Sequence, residues 1–151
     1  MLLYYEEEIA GEAYFMALAD RVDEGAATSL RLLADVERHC AAIVAPLLAK
    51  YGLKPRPTPQ LIDEGRADAD KGPQTYPEMI AYMRKTFPGY IGDFERLEAM
   101  APAEDLPVLT RMTEHEVVAI EFLEREATGA ANPTAPLTEY LSGPVETDCA
   151  A

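Results

Sequence analysis

Apolar residues recur every three to four positions over four long stretches of this chain, and almost nowhere do they alternate with polar ones. That period builds helices and leaves little from which to make a sheet. Segment A runs from about Leu3 to Asp23, with Tyr5, Ile9, Met16 and Ala19 on one stripe. Segment B runs from about Ala27 to Tyr51, with Leu30, Leu33, Cys40, Val44 and Leu47 inward. Thr28 or Ser29 suits its cap and Gly52 its stop. Segment C runs from about Tyr76 to Ala101 and starts well on Pro77, but Pro88-Gly89 is placed to kink or break it. Segment D runs from about Pro102 to Thr128, with its regular helix beginning near Pro107 and ending at Gly129.

The connections constrain the arrangement further. A and B are joined by Glu24 to Ala26, and C and D turn at Pro102, so each pair must be an antiparallel hairpin. B and C are separated by residues 52–75, which carry Pro55, Pro57, Pro59, Gly65, Gly72 and Pro73. A helix of segment B's length spans roughly 36 Å at 1.5 Å per residue, a distance such a connection covers easily. The expected fold is therefore all-α: a four-helix bundle over residues 1–128, made of two antiparallel hairpins with a long B–C crossover at 52–75. Leu61 to Asp70 is suited to a short helix on the way. Residues 129–151 read as an irregular tail with one docked turn at Leu137 to Leu141.

Charge narrows the function. Asp and Glu number 27 against 13 Lys and Arg, a net charge of −14. Phosphate backbones and anionic membrane surfaces both need basic side chains, so neither nucleic acid nor membrane is expected as a partner. No stretch reaches the ~18 uninterrupted apolar residues of a membrane span. Met1-Leu2-Leu3 runs straight into Glu6-Glu7-Glu8, which is not a secretory leader, and Cys40 and Cys149 make no disulfide framework. A soluble, reduced, cytoplasmic protein is expected.

The informative acids are those on apolar faces, because a buried carboxylate must be paired, protonated or metal-bound. Glu37 falls inside segment B's inward series. Glu12 and Glu8 fall on two adjacent inward series of segment A. Glu116 falls on segment D's stripe with His115 beside it. By height, Glu12 is level with residue 38, and His115 with the region of Tyr90 and Asp93 on C. Glu8, Glu12, Glu37, His115 and Glu116 are thus the candidate metal ligands. Hard oxygens with one imidazole suit iron, manganese or zinc, as one or two ions. Tyr14 and Tyr90 stand near enough to serve as hydrogen-bonding or redox-active groups. The plainer alternative is a buried polar network, with Glu37 bonded to Tyr14 or Arg111. Glu6, Glu7, Glu114, Glu121 and Glu124 read as surface charge.

The phrases Glu8-Ile9-Ala10-Gly11-Glu12-Ala13-Tyr14-Phe15, Val36-Glu37-Arg38-His39-Cys40 and Glu114-His115-Glu116 before Phe122 resemble the ferritin-like superfamily, which includes rubrerythrin and bacterioferritin. The likeness covers roughly residues 3 to 128. It implies a metal centre fed by one Glu from each of two helices and a Glu-x-x-His from each of the other two. This sequence departs from that pattern at two places. Cys40 stands where the imidazole after Glu37 would be, and Met112 stands where the Glu before His115 would be. Segment C offers no inward acid at the right level, Asp93 being the nearest.

Two functions compete on these grounds. The resemblance implies a metalloprotein that holds iron or a similar ion inside the bundle. With an open position it would act as a non-haem iron oxidoreductase on oxygen, peroxide or ferrous iron. The alternative keeps the fold with a degraded metal site, Cys40 and Met112 being core residues, and makes the chain a non-catalytic binding or assembly module, a homodimer for example. A thiolate enzyme built on Cys40 and His39 is excluded by geometry, because helix neighbours at i and i+1 point about 100° apart.

Overall fold

The computed structural model describes residues 1–143, and among them every regular element is helical. α1 (Leu2–Ala19) and α2 (Glu24–Lys50) are joined by Asp20–Asp23 and pack antiparallel. Asp23, and neither Thr28 nor Ser29, caps α2: its side chain accepts from the Ala26 N–H at 3.1 Å. The cap lies upstream of the expected one because the Asp23 side chain satisfies a free N–H of the first turn, which offsets the cost of Gly25 there. Gly52 ends α2 at a φ of 62°, a left-handed conformation that favours glycine.

The crossover forms α3 (Thr58–Lys71), longer than the helix expected from the pattern. It runs parallel to α1 and returns the chain along it. The Glu6 carboxylate accepts from Arg56 Nε at 2.8 Å near one end, and Arg21 donates to the Ala69 carbonyl at 2.7 Å near the other. Between those ties Gly65 meets the Ala10 backbone so closely that a Cβ would lie 2.0 Å from the Ala10 oxygen. Gly65→Ala must therefore drive two helix backbones apart. A loss of about 2–3 kcal/mol, the upper range for overpacking, is expected in urea unfolding. A change under about 0.5 kcal/mol, the size of a neutral surface substitution, would show the contact to be slack.

α3 also explains a misread acid. Glu6 lies on the face of α1 that would be solvated in a bare hairpin, and it reads as surface charge in the sequence. In the structure it is 7% exposed, because α3 covers that face. It accepts from both the backbone N–H and the Nε of Arg56, which hold its carboxyl below the usual range.

Segment C is two helices, α4 (Tyr76–Thr86) and α5 (Pro88–Met100), broken where Pro88 removes a backbone donor. A capping box between Thr75 and Glu78 starts α4. A 3-10 turn, Ala103–Asp105, leads into α6 (Leu106–Ala127). α6 runs antiparallel to α4 and α5, as the Arg84–Glu124 ion pair and the bonds from Thr110 and Thr113 to Glu98 show. After Gly129, with φ of 67°, the tail is more regular than its composition suggests. α7 (Ala135–Ser142) packs against α6 and α2 and buries Leu137 and Tyr140. Arg111 stacks on the Tyr140 ring at 3.8 Å and donates to its carbonyl, and the Tyr140 hydroxyl donates back to the Arg111 carbonyl. Residues 144–151, the rest of the expected tail with Cys149, lie outside the described residues. Among the described residues no helix is long and apolar enough to cross a membrane.

The apolar core is in two parts. One gathers Phe15, Leu30, Leu33, Met79, Met83 and Phe122, with α7 against it. The other gathers Cys40, Val44, Phe94, Leu109 and Met112. Buried Glu8, Glu37, His115 and Glu116 occupy the level between them.

Candidate metal centre

Three helices supply this polar level. α1 contributes Glu8, α2 contributes Glu37 with Cys40 one turn later on the same face, and α6 contributes His115 and Glu116. All five are at least nine-tenths buried, with His115 at 1% exposure and Glu8 at 3%. Among the described residues, neither Lys nor Arg forms an ion pair with Glu8, Glu37 or Glu116. Arg111, a partner conceivable for Glu37 from sequence, is engaged instead with Glu114 and Tyr140.

The imidazole sets the geometry. His115 Nδ1 hydrogen-bonds to the Met112 carbonyl one turn earlier. A carbonyl only accepts, so Nδ1 carries a proton, and Nε2 is the ring atom turned to the carboxylates. Nε2 lies 3.2 Å from Glu8 Oε2 and 3.7 Å from Glu116 Oε2. Cys40 Sγ sits on the other side of the ring, 3.4 Å from Nδ1. Glu8, Cys40 and His115 offer ligand atoms that all lie within 4.8 Å of one another. Two of the carboxyl oxygens, Glu8 Oε2 and Glu116 Oε1, are buried without any hydrogen-bond partner. Buried acceptors crowded in this way are stable only with a proton or a cation among them.

Burial acts on the acids accordingly. It raises the Glu8 carboxyl to about 7 and the Glu116 carboxyl to about 8. Glu37 is pushed well above the usual carboxylate range, first by burial and then by the charge of Glu8 beside it. Burial likewise raises the Cys40 thiol, with the Glu8 and Glu37 charges adding to the effect. Gly11 makes room for this crowding: a Cβ there would lie 3.0 Å from Glu37 Oε2.

Not every candidate from the sequence joins the group. Glu12 is level with Arg38, as the index arithmetic requires, but it pairs with the Arg38 guanidinium at 3.1 Å on the partly exposed edge of the α1–α2 hairpin. It lies one turn along α1 from Glu8, and Arg38 offers it a charge partner that keeps it outside. Met112 is buried and supplies its carbonyl to His115, and Cys40 touches the ring, so both stand beside the group. Asp93 turns to Arg96 on its own helix. Tyr14 and Tyr90 line the cavity that leads to the carboxylates.

That cavity is the feature the sequence reading missed. α1 and the α4–α5 arm meet edge to face at Phe15–Phe87, with centroids 6.2 Å apart, and at Tyr4–Phe94, 5.2 Å apart. A space of about 670 Å3 opens in this region, with Glu8, Glu37, His115 and Glu116 in its wall. Pro88 marks where the arm divides into α4 and α5, but nothing in the sequence marks the space beside it.

No family model matches the chain, and neither does any curated protein or solved structure.

Proposed function

We propose that this chain is a ferritin-like four-helix metalloprotein that holds one iron, manganese or zinc ion between α1, α2 and α6. Its donors would be His115 Nε2, Glu8 and Glu116, with Glu37 completing the set. The observation that carries the reading is the convergence of a buried imidazole nitrogen, Nε2 of His115, on two buried carboxyl groups that each keep an oxygen without a hydrogen-bond partner. A metal-binding histidine characteristically spends its other N–H on a carbonyl or carboxylate, as His115 does on Met112. Three or four such donors suit one ion better than two, in keeping with the missing Glu and His of the paired-metal pattern. Iron bound there would supply one-electron exchange with oxygen or peroxide. The chain's own contribution is to bury the donors and to fix the imidazole through the Met112 carbonyl.

Elemental analysis of protein purified without added metal tests this directly. Near-stoichiometric iron, manganese or zinc is expected, and at least tenfold less in His115→Ala. A folded protein that stays free of metal after ferrous iron is supplied under argon overturns the proposal.

A second reading, a bundle whose site no longer takes metal, draws on Cys40 and Met112, both almost wholly buried among apolar neighbours. The carboxyls would then be kept neutral by burial. This reading makes the chain a binding or assembly module.

A further inference from the structure

The cavity is larger than the chemistry of a metal ion with oxygen or peroxide requires. Its 670 Å3 would hold roughly twenty water molecules at ~30 Å3 each, and it falls in the ~300–1,000 Å3 range of small-molecule sites. Its wall is of two kinds. One part is aromatic: Tyr14, Phe15, Tyr82, Phe87, Tyr90 and Phe94, of which Tyr82 and Tyr90 are exposed. Tyr14, Phe15 and Phe87 follow one another edge to face, and Tyr82 and Tyr90 add exposed rings. The other part is acidic: Glu7, Glu8, Glu37, Asp68 and Glu116. The single lysine in the wall, Lys71, has its ammonium 3.1 Å from Asp68. Two carboxylate oxygens in the wall, Glu8 Oε2 and Glu116 Oε1, are buried and lack any donor.

Such a wall offers an anion little. A carboxylate or phosphate ligand would set its oxygens against carboxyl oxygens, with Lys71 already held by Asp68. A neutral apolar ligand would fill the aromatic part and leave the acceptors unpaired. An ammonium group supplies what both parts lack: donors and positive charge for the carboxylates, and a cation for the ring faces.

We infer that this cavity binds a small organic amine in its protonated form, with the ammonium toward Glu8 and Glu116 and an apolar body against the aromatic wall. The inference goes beyond the metal centre and stands on the cavity rather than on the ion. A metal ion and the ammonium would compete for Glu8 and Glu116, so the amine is tested on metal-free protein.

Three probes with one phenyl body decide it: 2-phenylethylammonium, 2-phenylethanol and phenylacetate. Each is titrated calorimetrically into the full-length, chelator-treated protein. The amine is expected to bind at least tenfold more tightly than the alcohol, and phenylacetate not at all. Glu116→Gln keeps the shape of the side chain while removing its charge, and should bring amine and alcohol toward parity. Tyr82→Ala, at an exposed position where folding is not at stake, should weaken both. Equal binding of amine and alcohol, binding of phenylacetate as tight as the amine, or no binding by the folded protein would each overturn the inference. A protein that takes up no metal yet prefers the amine overturns only the metal reading. One that holds metal and shows no preference overturns only this one.

Discussion

Treated with a chelator, the protein is expected to become less stable as the pH rises from about 4.5 through 8, against the usual trend for a chain rich in carboxylates. The sign follows from proton counting. An ordinary buried acid held by a cation has its pKa depressed on folding and favours the folded state at higher pH. Glu8 and Glu116 do the opposite, because burial raises them from 4.5 to about 7 and about 8. Between those values the folded chain keeps protons that the unfolded chain releases, so each pH increment favours unfolding. The two shifts together amount to several kcal/mol, on the order of half or more of a typical domain's stability. Denaturant melts of chelator-treated protein at about pH 5 and about pH 8 read this directly. Saturating metal should reverse the slope, because an ion displaces these protons and binds better as they leave. A chelator-treated protein that grows more stable across that range would mean the carboxylates are ionised and paired, and would remove the ground for the metal centre.

The sequence showed the helices and their pairing because the apolar period survives in segments B, C and D. On α1 the expected stripe fails, with Met16 exposed and Tyr5 and Ile9 half-buried while Phe15 and Leu18 face the core. The residues at which it went wrong have physical reasons. Glu6 reads as surface charge only for a two-helix face, and a third helix covers it. Glu12 and Glu8 are one turn apart on α1 and cannot be ranked by period alone; Arg38 at the level of Glu12 settles the matter by offering it a charge partner. The α2 cap is Asp23 because its carboxylate reaches the Ala26 N–H. The tail hid α7 because an eight-residue helix has little period to show, and its docking depends on Arg111 and Tyr140 meeting across 29 positions. The cavity was invisible for a related reason. It is a property of the distance between α1 and the α4–α5 arm, which no residue pattern encodes.

Glu37→Leu separates the two functional readings most sharply, because its effect on stability should change sign with metal. The Glu37 side chain lies in α2 one turn from both Leu33 and Cys40, against Gly11 and Glu8. A leucine of similar volume fits that space and removes both the burial cost of the carboxyl and its repulsion from Glu8. In chelator-treated protein a gain of about 1–4 kcal/mol is expected, the range found when buried ionic groups give way to apolar ones. For a chain of this size that is an increase in Tm of roughly 2–4 °C per kcal/mol. In metal-saturated protein the variant should melt below the wild type, because a lost ligand weakens the binding that stabilises the fold. Three outcomes are distinct. A rise without metal and a fall with it supports a centre maintained against a stability cost. A rise in both conditions means the acid serves no ion, and the assembly-module reading stands. A fall in both would show that Glu37 and Glu8, sharing a proton across the interface of α1 and α2, hold the hairpin together as a hydrogen-bonded pair.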